Sequence, residues 1–570
     1  MSQHLGSADY VVVALYLVGT MALGLYLGKN LRSGKDYFLA GRRLPWWAIG
    51  MSLVATDIGG TDIIGAGGAA YQHGMAVANF EWIGCIPAMI VAAFIFVPYF
   101  WRTGIYTIPE FMERRYNPAM RSLLAFCWLV FMACNLGIML LASAKMMAAL
   151  FNWHDLDALL GRDRIDWMLN DLFGSSQTAF IWMTAGLVGV YTCAGGLAAV
   201  VYTDVIQCAV MIGGCLLVLV LGLWDIGGIG ALADRVDELK QQNPPVAVSA
   251  EQPSTQSPGT RTALKTEDGK TTATANSTRK LALVLPVDTQ TPFPWTGIFF
   301  GLAFVLSPAY WIGNQAIVQR SLGAKSDYEA KAAYIWGAVL KNVIPFIIVL
   351  PGLIALAKFP ELKDGDQAVP MLVGVLLPTG LRGLFLAAFI AALMSSIDSY
   401  LNSAATILTN DLYKRFLVKG ADDRHLLRVG RLTTFGLVLW AILFALLLTR
   451  LSDKSGIYVI FQTLMAFFQG PALAVLLGGL LWKRATGIAA VVSFVVGVAF
   501  SVLLFALSQP AVYTIWGLEP LFQIADPFLY FSIWAFLLSL TLLVVISLLT
   551  RPEPEEKVAQ LVYHRRRTTA

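Results

Sequence analysis

Two long apolar stretches of this chain are interrupted by glycine, proline and polar residues, at Ser52–Tyr71 and at Phe304–Gln315. A helix that crosses a bilayer must satisfy its own backbone hydrogen bonds, because lipid offers no partner. An interrupted helix is tolerated only where it lines a cavity or a binding site. A matched pair of such breaks in two halves of a membrane protein is typical of a secondary transporter.

The composition indicates an integral membrane protein. Hydrophobic residues make up 57% of the 570 positions and charged residues only 14%, and the mean hydropathy is +0.66. A soluble domain usually has about one quarter charged residues. We count about thirteen apolar segments, each long enough to cross a bilayer at roughly 17–25 residues. The sequence therefore predicts an all-α membrane protein with about thirteen transmembrane helices, two of them broken.

Lysine and arginine cluster after alternate apolar segments, and the clusters share one side of the membrane if the chain has about thirteen spans. They lie at residues 29–43, 102–121, 320–331, 414–431, 483–484 and 565–567. Cytoplasmic loops carry the excess of positive charge. This pattern predicts a multi-pass protein of the plasma (inner) membrane with its N-terminus outside and its C-terminus in the cytoplasm. The net charge of +5 therefore reflects topology and does not indicate nucleic-acid binding.

The segment count predicts two repeats of five helices, each beginning with one broken segment. The second repeat would be inverted, because an odd number of helices reverses the direction of the chain. The predicted organisation is a first helix and cytoplasmic link (1–45), a first repeat (46–225), an external polar, partly flexible loop (226–293), a second repeat (294–485), two additional helices (486–550) and a basic cytoplasmic tail (551–570). Within the loop, Gln241–Lys280 has too few apolar residues to offset the entropy of ordering.

Several ionisable side chains fall at membrane depth, where each costs at least about 2.5–3.5 kcal/mol to insert. They are Asp57, Asp62, Glu81, Asp204, Lys341 and Asp398. The excess of acids favours cations. Ser395, Asp398 and Ser399 share one helix face at spacings of three and four residues. Opposite freed carbonyls near Gly59, they would supply the all-oxygen shell that a hard cation prefers.

Structural interpretations compete with this one. Serines in membrane helices commonly pack with their hydroxyls bonded to the preceding turn. Asp57 and Asp62 could cap the helix that follows the break, as readily as bind a ligand. Lys341 could be a structural counter-ion, with Glu81 as its partner. A buried Asp398 carboxylate, however, needs a partner, which favours a functional role.

Several ordered motifs between about residues 8 and 485 resemble the sodium:solute symporter family. They are Asp36–Arg42, Trp46-Trp47, Ser52–Ile58, Gly195–Leu197 with Tyr202–Gln207, Gln319-Arg320, and Ser395–Asn402 followed by Asp411–Lys414. The resemblance implies a LeuT-type fold of 5+5 inverted repeats, sodium as the coupling ion and uptake driven by the sodium gradient. It also implies no enzymatic activity.

The same resemblance implies two ion sites. The first would take the carbonyls of Ala55, Ile58 and Ala392 and the hydroxyls of Ser395 and Ser396. The second, present in some members of the family, would take Ser395, Asp398 and Ser399 with Asp204. Asp204 also matches an aspartate that supports the first ion.

Within the family, the chain is most similar to the sodium/glucose (galactose) cotransporter branch. The matching residues are Phe80–Trp82, Tyr310-Trp311, Asn314-Gln315, Lys341 and Gln462. The expected substrate is thus a small polar solute, above all a hexose, carried by a chain that functions as a monomer. The substrate set expected from the family is Asp62, Glu81, Ser307, Tyr310, Trp311, Asn314, Lys341 and Gln462. In that branch the acid, lysine and glutamine bind sugar hydroxyls, and the tyrosine stacks on the sugar as an inner gate.

Four positions depart from the pattern of sugar-binding members and leave other substrates open. Ser307 replaces an asparagine, Asp62 a histidine or glutamine, and Asp398 a serine or threonine, while Asp57 is shared with the proline-transporter branch. An amino acid, a carboxylate or a proton-assisted cycle remain alternatives, as do a uniporter and a sensor without transport. The paired breaks in one chain argue against a channel. The five histidines lie at helix ends or in loops, which argues against an intramembrane metal enzyme.

Overall fold

The computed structural model describes residues 5–28, 39–150, 174–242, 280–289, 291–418, 420, 422–451, 456–509, 512, 521–522, 524, 526–559 and 561–562. Across these residues the chain is helical, apart from an isolated bridge between Leu44 and Ala324. The prediction of an all-α protein is therefore confirmed. The start of the Asp36–Arg42 motif, most of the Gln241–Lys280 segment and the last eight residues lie outside the described residues.

Within the described residues, the N-terminal half holds nine α-helices. They are α1 (Ser7–Gly28), α2 (Trp46–Asp57), α3 (Gly67–His73), α4 (Ile86–Val91), α5 (Val97–Thr103), α6 (Ile108–Arg115), α7 (Pro118–Leu150), α8 (Ser176–Ile226) and α9 (Gly228–Gln242). Wide π-helical turns lie between some of them, at Asp62–Ala66, Phe80–Cys85 and Ala92–Phe96, and short 3₁₀ turns lie at Ala40–Arg42 and Met75–Ala78.

The described part of the C-terminal half holds twelve α-helices. They are α10 (Ser307–Gly313), α11 (Gln315–Leu322), α12 (Asp327–Lys341), α13 (Ile344–Lys358), α14 (Ala368–Leu376), α15 (Leu381–Thr406), α16 (Asp423–Leu451), α17 (Ile457–Ala466), α18 (Gln469–Leu481), α19 (Gly487–Ser508), α20 (Phe528–Leu549) and α21 (Glu555–Ala559). A π-helical stretch precedes α10 at Gly297–Leu306 and another follows α15 at Ile407–Leu417, and a 3₁₀ turn lies at Gly365–Gln367.

Within the described part of the chain, nine helices are long and apolar enough to cross a bilayer, and up to eleven if each of two bent pairs counts as one span. The bent pairs are the π-helical stretch plus α10 with α11, which meet at 50°, and α17 with α18, which meet at 41°. The chain is therefore a membrane protein. The predicted number of about thirteen spans is higher, because that prediction also counted segments such as the first broken one, which no single long helix represents.

Both predicted breaks are present, and the structure locates each within a residue or two. α2 ends at Asp57, where Ile58 turns to extended backbone with φ −91° and ψ 95°. α10 ends at Gly313, where Asn314 is extended with φ −71° and ψ 118°. The chain stays helical through Pro308, which lies in the first turn of α10 directly after the π-helical stretch. The bend between α17 and α18 is a third break, which the sequence analysis missed.

Helix α15 forms the centre of the molecule. About 94% of its most apolar window is buried, more than in any other described span. It packs against α8, α2 and α7. Its serines and aspartate therefore face protein on every side, and their polar groups must find partners on these neighbours.

Candidate functional site

The end of α2 and the middle of α15 bring carbonyl and hydroxyl oxygens together. The last carbonyls of a helix have no partner in their own helix. The Ser395 hydroxyl donates to the Ala55 carbonyl at 2.7 Å and lies 3.0 Å from the Ala392 carbonyl. The Ser396 hydroxyl donates to the Thr56 carbonyl at 3.0 Å and lies 3.5 Å from that of Ala55. Side chains of α15 thus complete the broken end of α2.

The crossing of α2 and α15 has more hydrogen-bond acceptors than donors. Three carbonyl oxygens converge on two hydroxyls, and each hydroxyl carries one hydrogen to donate. Both serines are fully buried. A hard cation prefers such an all-oxygen shell. Four of the five ligands expected for the first ion site therefore lie in contact with one another.

The fifth expected ligand, Ile58, is not among these contacts. Ile58 is the extended residue at the break, and no described hydrogen bond joins its carbonyl to Ser395 or Ser396. The Thr56 carbonyl makes the contact with Ser396 instead. Gly59 follows directly, and a Cβ at its position would lie 2.7 Å from the Ser396 hydroxyl. The break therefore approaches α15 closely.

The second expected ion site holds an arginine. Arg320 on α11 donates from Nε to the Ser52 hydroxyl at 2.7 Å, and its Nη2 lies 3.2 Å from Asp204 Oδ2. The same nitrogen donates to the Ser399 hydroxyl. Ser52 also donates to Asp204 at 2.5 Å. Arg320 was counted among the basic residues of a cytoplasmic loop, and this assignment was wrong, because its side chain is only 1% exposed and paired inside the bundle.

Asp398 adds a second acid to this cluster. Its Oδ1 accepts a hydrogen bond from Ser399 at 3.2 Å. Among the described residues, Asp398 Oδ2 and Asp204 Oδ1 have no hydrogen-bond partner. Two fully buried acids face one arginine, so the cluster has a formal charge of minus one when all three are ionised. Asp204 is fully buried, like Asp398.

A cavity lies beside the α2 break. Six of the eight expected substrate residues line it: Asp62, Glu81, Ser307, Tyr310, Trp311 and Gln462. The remaining lining residues are Asp57, Phe80, Cys85, Leu302, Leu306, Tyr458, Phe461, Met465 and Gln469. Aromatic faces and a few polar groups thus share one concave surface.

Lys341 lies behind the cavity wall rather than in it. Its ammonium donates to Glu81 at 2.6 Å and to Asp57, and it is fully buried. It also lies 5.7 Å from the centre of the Trp311 ring. Asp57, Glu81 and Cys85 offer ligand atoms within 4.8 Å of one another, but the ammonium already supplies a cation to both acids. This arrangement favours an ion-pair cluster over a metal site.

Asn314 is the second expected substrate residue that does not line the cavity. It is fully buried at the second break, where its side chain accepts a hydrogen bond from the Ala316 backbone at 2.9 Å and so caps α11. The prediction that Asn314 contacts substrate has no support in the cavity lining. Side-chain oxygens at this position satisfy the unpaired backbone donors that begin a helix.

Asp57 and Gln469 also line the cavity but were not in the expected substrate set. The sequence predicted Asp57 to be either a helix cap or a ligand, and it was not assigned to the substrate. Gln469 was not predicted to have any role. Gln469 begins α18 at the third break, within Phe468-Gln469-Gly470-Pro471. A glutamine followed by Gly-Pro inside an apolar segment was the available signal, because this pattern also marks a helix break.

Comparisons of the sequence with known proteins agree with one another. The profile of the sodium:solute symporter family matches residues 37–161 and 166–497. The sodium/glucose cotransporter of Vibrio parahaemolyticus is 30% identical over 88% of this chain and 86% of that protein. Sodium/glucose cotransporter 4 of Homo sapiens is 31% identical over 97% of this chain and 78% of its own length. The human sodium/myo-inositol cotransporter is 31% identical over 98% of this chain and 75% of its own length.

Solved structures show the same fold. A Na⁺-coupled sialic acid symporter, in a substrate-bound outward-open state, aligns with a TM-score of 0.71 at 20% identity and covers 96% of this chain and 99% of that one. Mhp1, a nucleobase-cation-symport-1 family transporter, aligns with a TM-score of 0.52 at 13% identity over 92% and 97% of the two chains. The predicted LeuT-type fold is confirmed. The predicted classification as a sodium-coupled transporter and not an enzyme is also confirmed, and the chain belongs to the sodium:solute symporter family.

Proposed function

We propose that this protein imports a hexose-like polyol with sodium by alternating access, and that the crossing of α2 and α15 is its sodium site. The observation that carries the proposal is the convergence of three carbonyls on the two hydroxyls of Ser395 and Ser396. A sodium ion could be coordinated by all of these oxygens at once. The two hydroxyl hydrogens cannot bond to all three carbonyls.

Coupling follows from the shared position of the two sites. The Ala55 and Thr56 carbonyls contact α15, and Asp57, the next residue, lines the substrate cavity. Sodium that orders the end of α2 therefore also orders one wall of the cavity. Each sodium ion that moves down a membrane potential of about 100 mV contributes roughly 2.3 kcal/mol of driving free energy. Coupling further requires that sodium bind the outward-open state more tightly than the inward-open state.

The cavity contents support a polyol. Glu81, Gln462 and Ser307 offer hydrogen-bonding groups, and Tyr310 and Trp311 offer flat apolar faces. This combination suits a ring with hydroxyl groups on its edge. The Tyr310 hydroxyl lies 3.3 Å from that of Tyr400 on α15, so a gate at Tyr310 would be linked to the helix that carries the sodium site.

A second cation site is proposed at Asp204, Asp398 and Ser399. The net negative charge of this cluster and its two unpartnered carboxylate oxygens support it. A bound sodium ion or a proton on Asp398 would each neutralise the cluster. Arg320 would remain bonded to Ser52 and Asp204 in either case.

The predicted topology is also retained as a proposal, with two five-helix repeats and a cytoplasmic C-terminus. The Arg320–Ser52 hydrogen bond joins the two broken segments, which supports a common site between repeats. Lys557, near the C-terminal end, donates to the Tyr116 carbonyl at 2.6 Å, beside the basic residues that follow α5. This contact supports the same side for both segments. One chain contains both proposed sites, which supports a functional monomer.

Uptake of labelled glucose and galactose into proteoliposomes, with and without an inward sodium gradient, tests the proposal. Sodium-driven accumulation is expected for the wild type and is expected to be lost in Ser396→Ala. Ser493→Ala is the matched control, because Ser493 is equally buried and, among the described residues, its hydroxyl donates within its own helix, to the Ala490 carbonyl at 3.2 Å.

The outcomes separate the two parts of the proposal. Uptake that survives in Ser396→Ala would refute the assignment of the sodium site. If neither hexose accumulates while sodium still raises thermal stability through Ser396, the ion site stands and the hexose assignment fails. Amino acids and carboxylates would then be the substrates to screen. A sodium-sensitive protein that accumulates no solute would be a sensor.

A further inference from the structure

The substrate cavity carries more negative charge than its one lysine can neutralise. Three carboxylates line it, those of Asp57, Asp62 and Glu81. No lysine, arginine or histidine is among the lining residues, and Lys341 reaches the cluster from behind the wall. With all four groups ionised, the formal charge is minus two.

Asp62 is the acid left without a cation. The Lys341 ammonium donates to Asp57, Glu81 and Cys85 Sγ, which takes up all three of its hydrogens. In the described part of the chain, the hydrogen bond that Asp62 receives comes from the Gly59 backbone, at 2.9 Å. A carboxylate in a mostly apolar cavity needs an opposite charge or enough donors to replace water.

Gln469 is a second and independent sign of a missing ligand. It is fully buried, it lines the same cavity, and neither its Oε1 nor its Nε2 has a partner among the described residues. Buried amides are almost always hydrogen-bonded, because an unsatisfied one is costly. A ligand group that both donates and accepts, such as a hydroxyl, would satisfy Gln469.

We propose that the transported solute is a polyhydroxylated molecule with a protonated primary amine, the chemistry of an amino sugar, and that Asp62 binds its ammonium group. The hydroxyl groups would reach Gln469, and the ring would lie on the aromatic faces. The inference rests on the proposed function, in which this cavity is the substrate site. A neutral hexose would leave the Asp62 carboxylate without a counter-charge, unless the carboxyl group is protonated.

Sodium-driven uptake of labelled glucosamine and labelled glucose into proteoliposomes, at neutral pH where most of the amine is protonated, tests the proposal. N-acetylglucosamine, which has the same skeleton without the charge, serves as a competitor. Glucosamine is expected to have a KM at least about tenfold lower than that of glucose, a ratio that corresponds to about 1.4 kcal/mol. N-acetylglucosamine is expected to compete no better than glucose.

The preference should follow the charge of Asp62. In Asp62→Asn the KM ratio is expected to fall to near one, and in Asp62→Glu a preference for the amine should persist. Asp225→Asn, which removes a half-exposed acid paired with Lys358, is the matched control and should keep the wild-type ratio. Thermal protection by sodium verifies that each variant is folded.

Each outcome bears on the proposal. Equal uptake of the two sugars, or a preference for glucose, would overturn the amine assignment and leave sodium-driven sugar transport intact. A preference for glucosamine that persists in Asp62→Asn would overturn the role of Asp62. Absence of uptake for both sugars, in protein that sodium still protects, would refute the sugar substrate of the proposed function together with the amino sugar.

Discussion

The buried pair of Arg320 and Asp204 permits a quantitative prediction. The two side chains are 1% and 0% exposed and lie 3.2 Å apart. Arg320→Gln removes the positive charge and leaves Asp204 with the hydrogen bond from Ser52 alone. Removal of one partner from a buried pair usually costs about 3–5 kcal/mol, because the other charge stays buried without compensation. We expect a loss of that size in the free energy of unfolding.

Denaturant unfolding of the detergent-solubilised protein, followed by the fluorescence of its sixteen tryptophans, measures this loss. Arg102→Gln is the matched control, because Arg102 pairs with Asp327 at the surface, with side chains 59% and 32% exposed. Surface pairs contribute about 0–1 kcal/mol. The control should therefore differ little from the wild type.

The double variant Arg320→Gln/Asp204→Asn separates charge from packing. It removes both charges, so part of the stability should return, with a coupling free energy of about 1–3 kcal/mol between the two sites. Two results would refute the reasoning. One is a loss in Arg320→Gln no larger than that in Arg102→Gln, and the other is a double variant as unstable as the sum of the two single variants.

Two further predictions concern the sodium site and the cytoplasmic side. In Gly59→Ala the new Cβ would lie 2.7 Å from the Ser396 hydroxyl oxygen, so Ser396 must move, and sodium affinity measured by thermal protection should fall at least about tenfold; unchanged affinity would contradict the site. Glu113 lies on α6, and its partial burial opposes ionisation of its carboxyl group. Hydrogen bonds from Arg415 and Arg121 nevertheless hold the pKa of Glu113 below the ordinary carboxyl value. Its contribution to stability is therefore complete above the ordinary pKa and lost as the pH falls through the lower folded-state value. Unfolding measured across that range should show a weaker pH dependence in Glu113→Gln, and an identical dependence would be inconsistent with this ion-pair network.

The sequence alone determined the class of protein and named most residues of the proposed sodium site. Lipid offers no hydrogen bonds, so a Gly-Gly pair or an Asn in an apolar segment must mark a break, and the breaks lie at Ile58 and Asn314 as this rule requires. Helical spacing placed Ser395 and Ser399 on one face before any neighbour was known. Family motifs then identified the carbonyls of Ala55 and Ala392.

Only the tertiary structure decided which charges face one another. Arg320 looks like a loop residue in the sequence but is buried against Asp204, and Lys341 pairs with both Asp57 and Glu81 rather than with one acid. Such pairings join residues more than one hundred positions apart, and the cost of a buried charge depends on every neighbour that replaces water. Local periodicity contains no information about these neighbours. For the same reason the charge excess at Asp62 and the unpartnered amide of Gln469 became visible only when the helices were packed together.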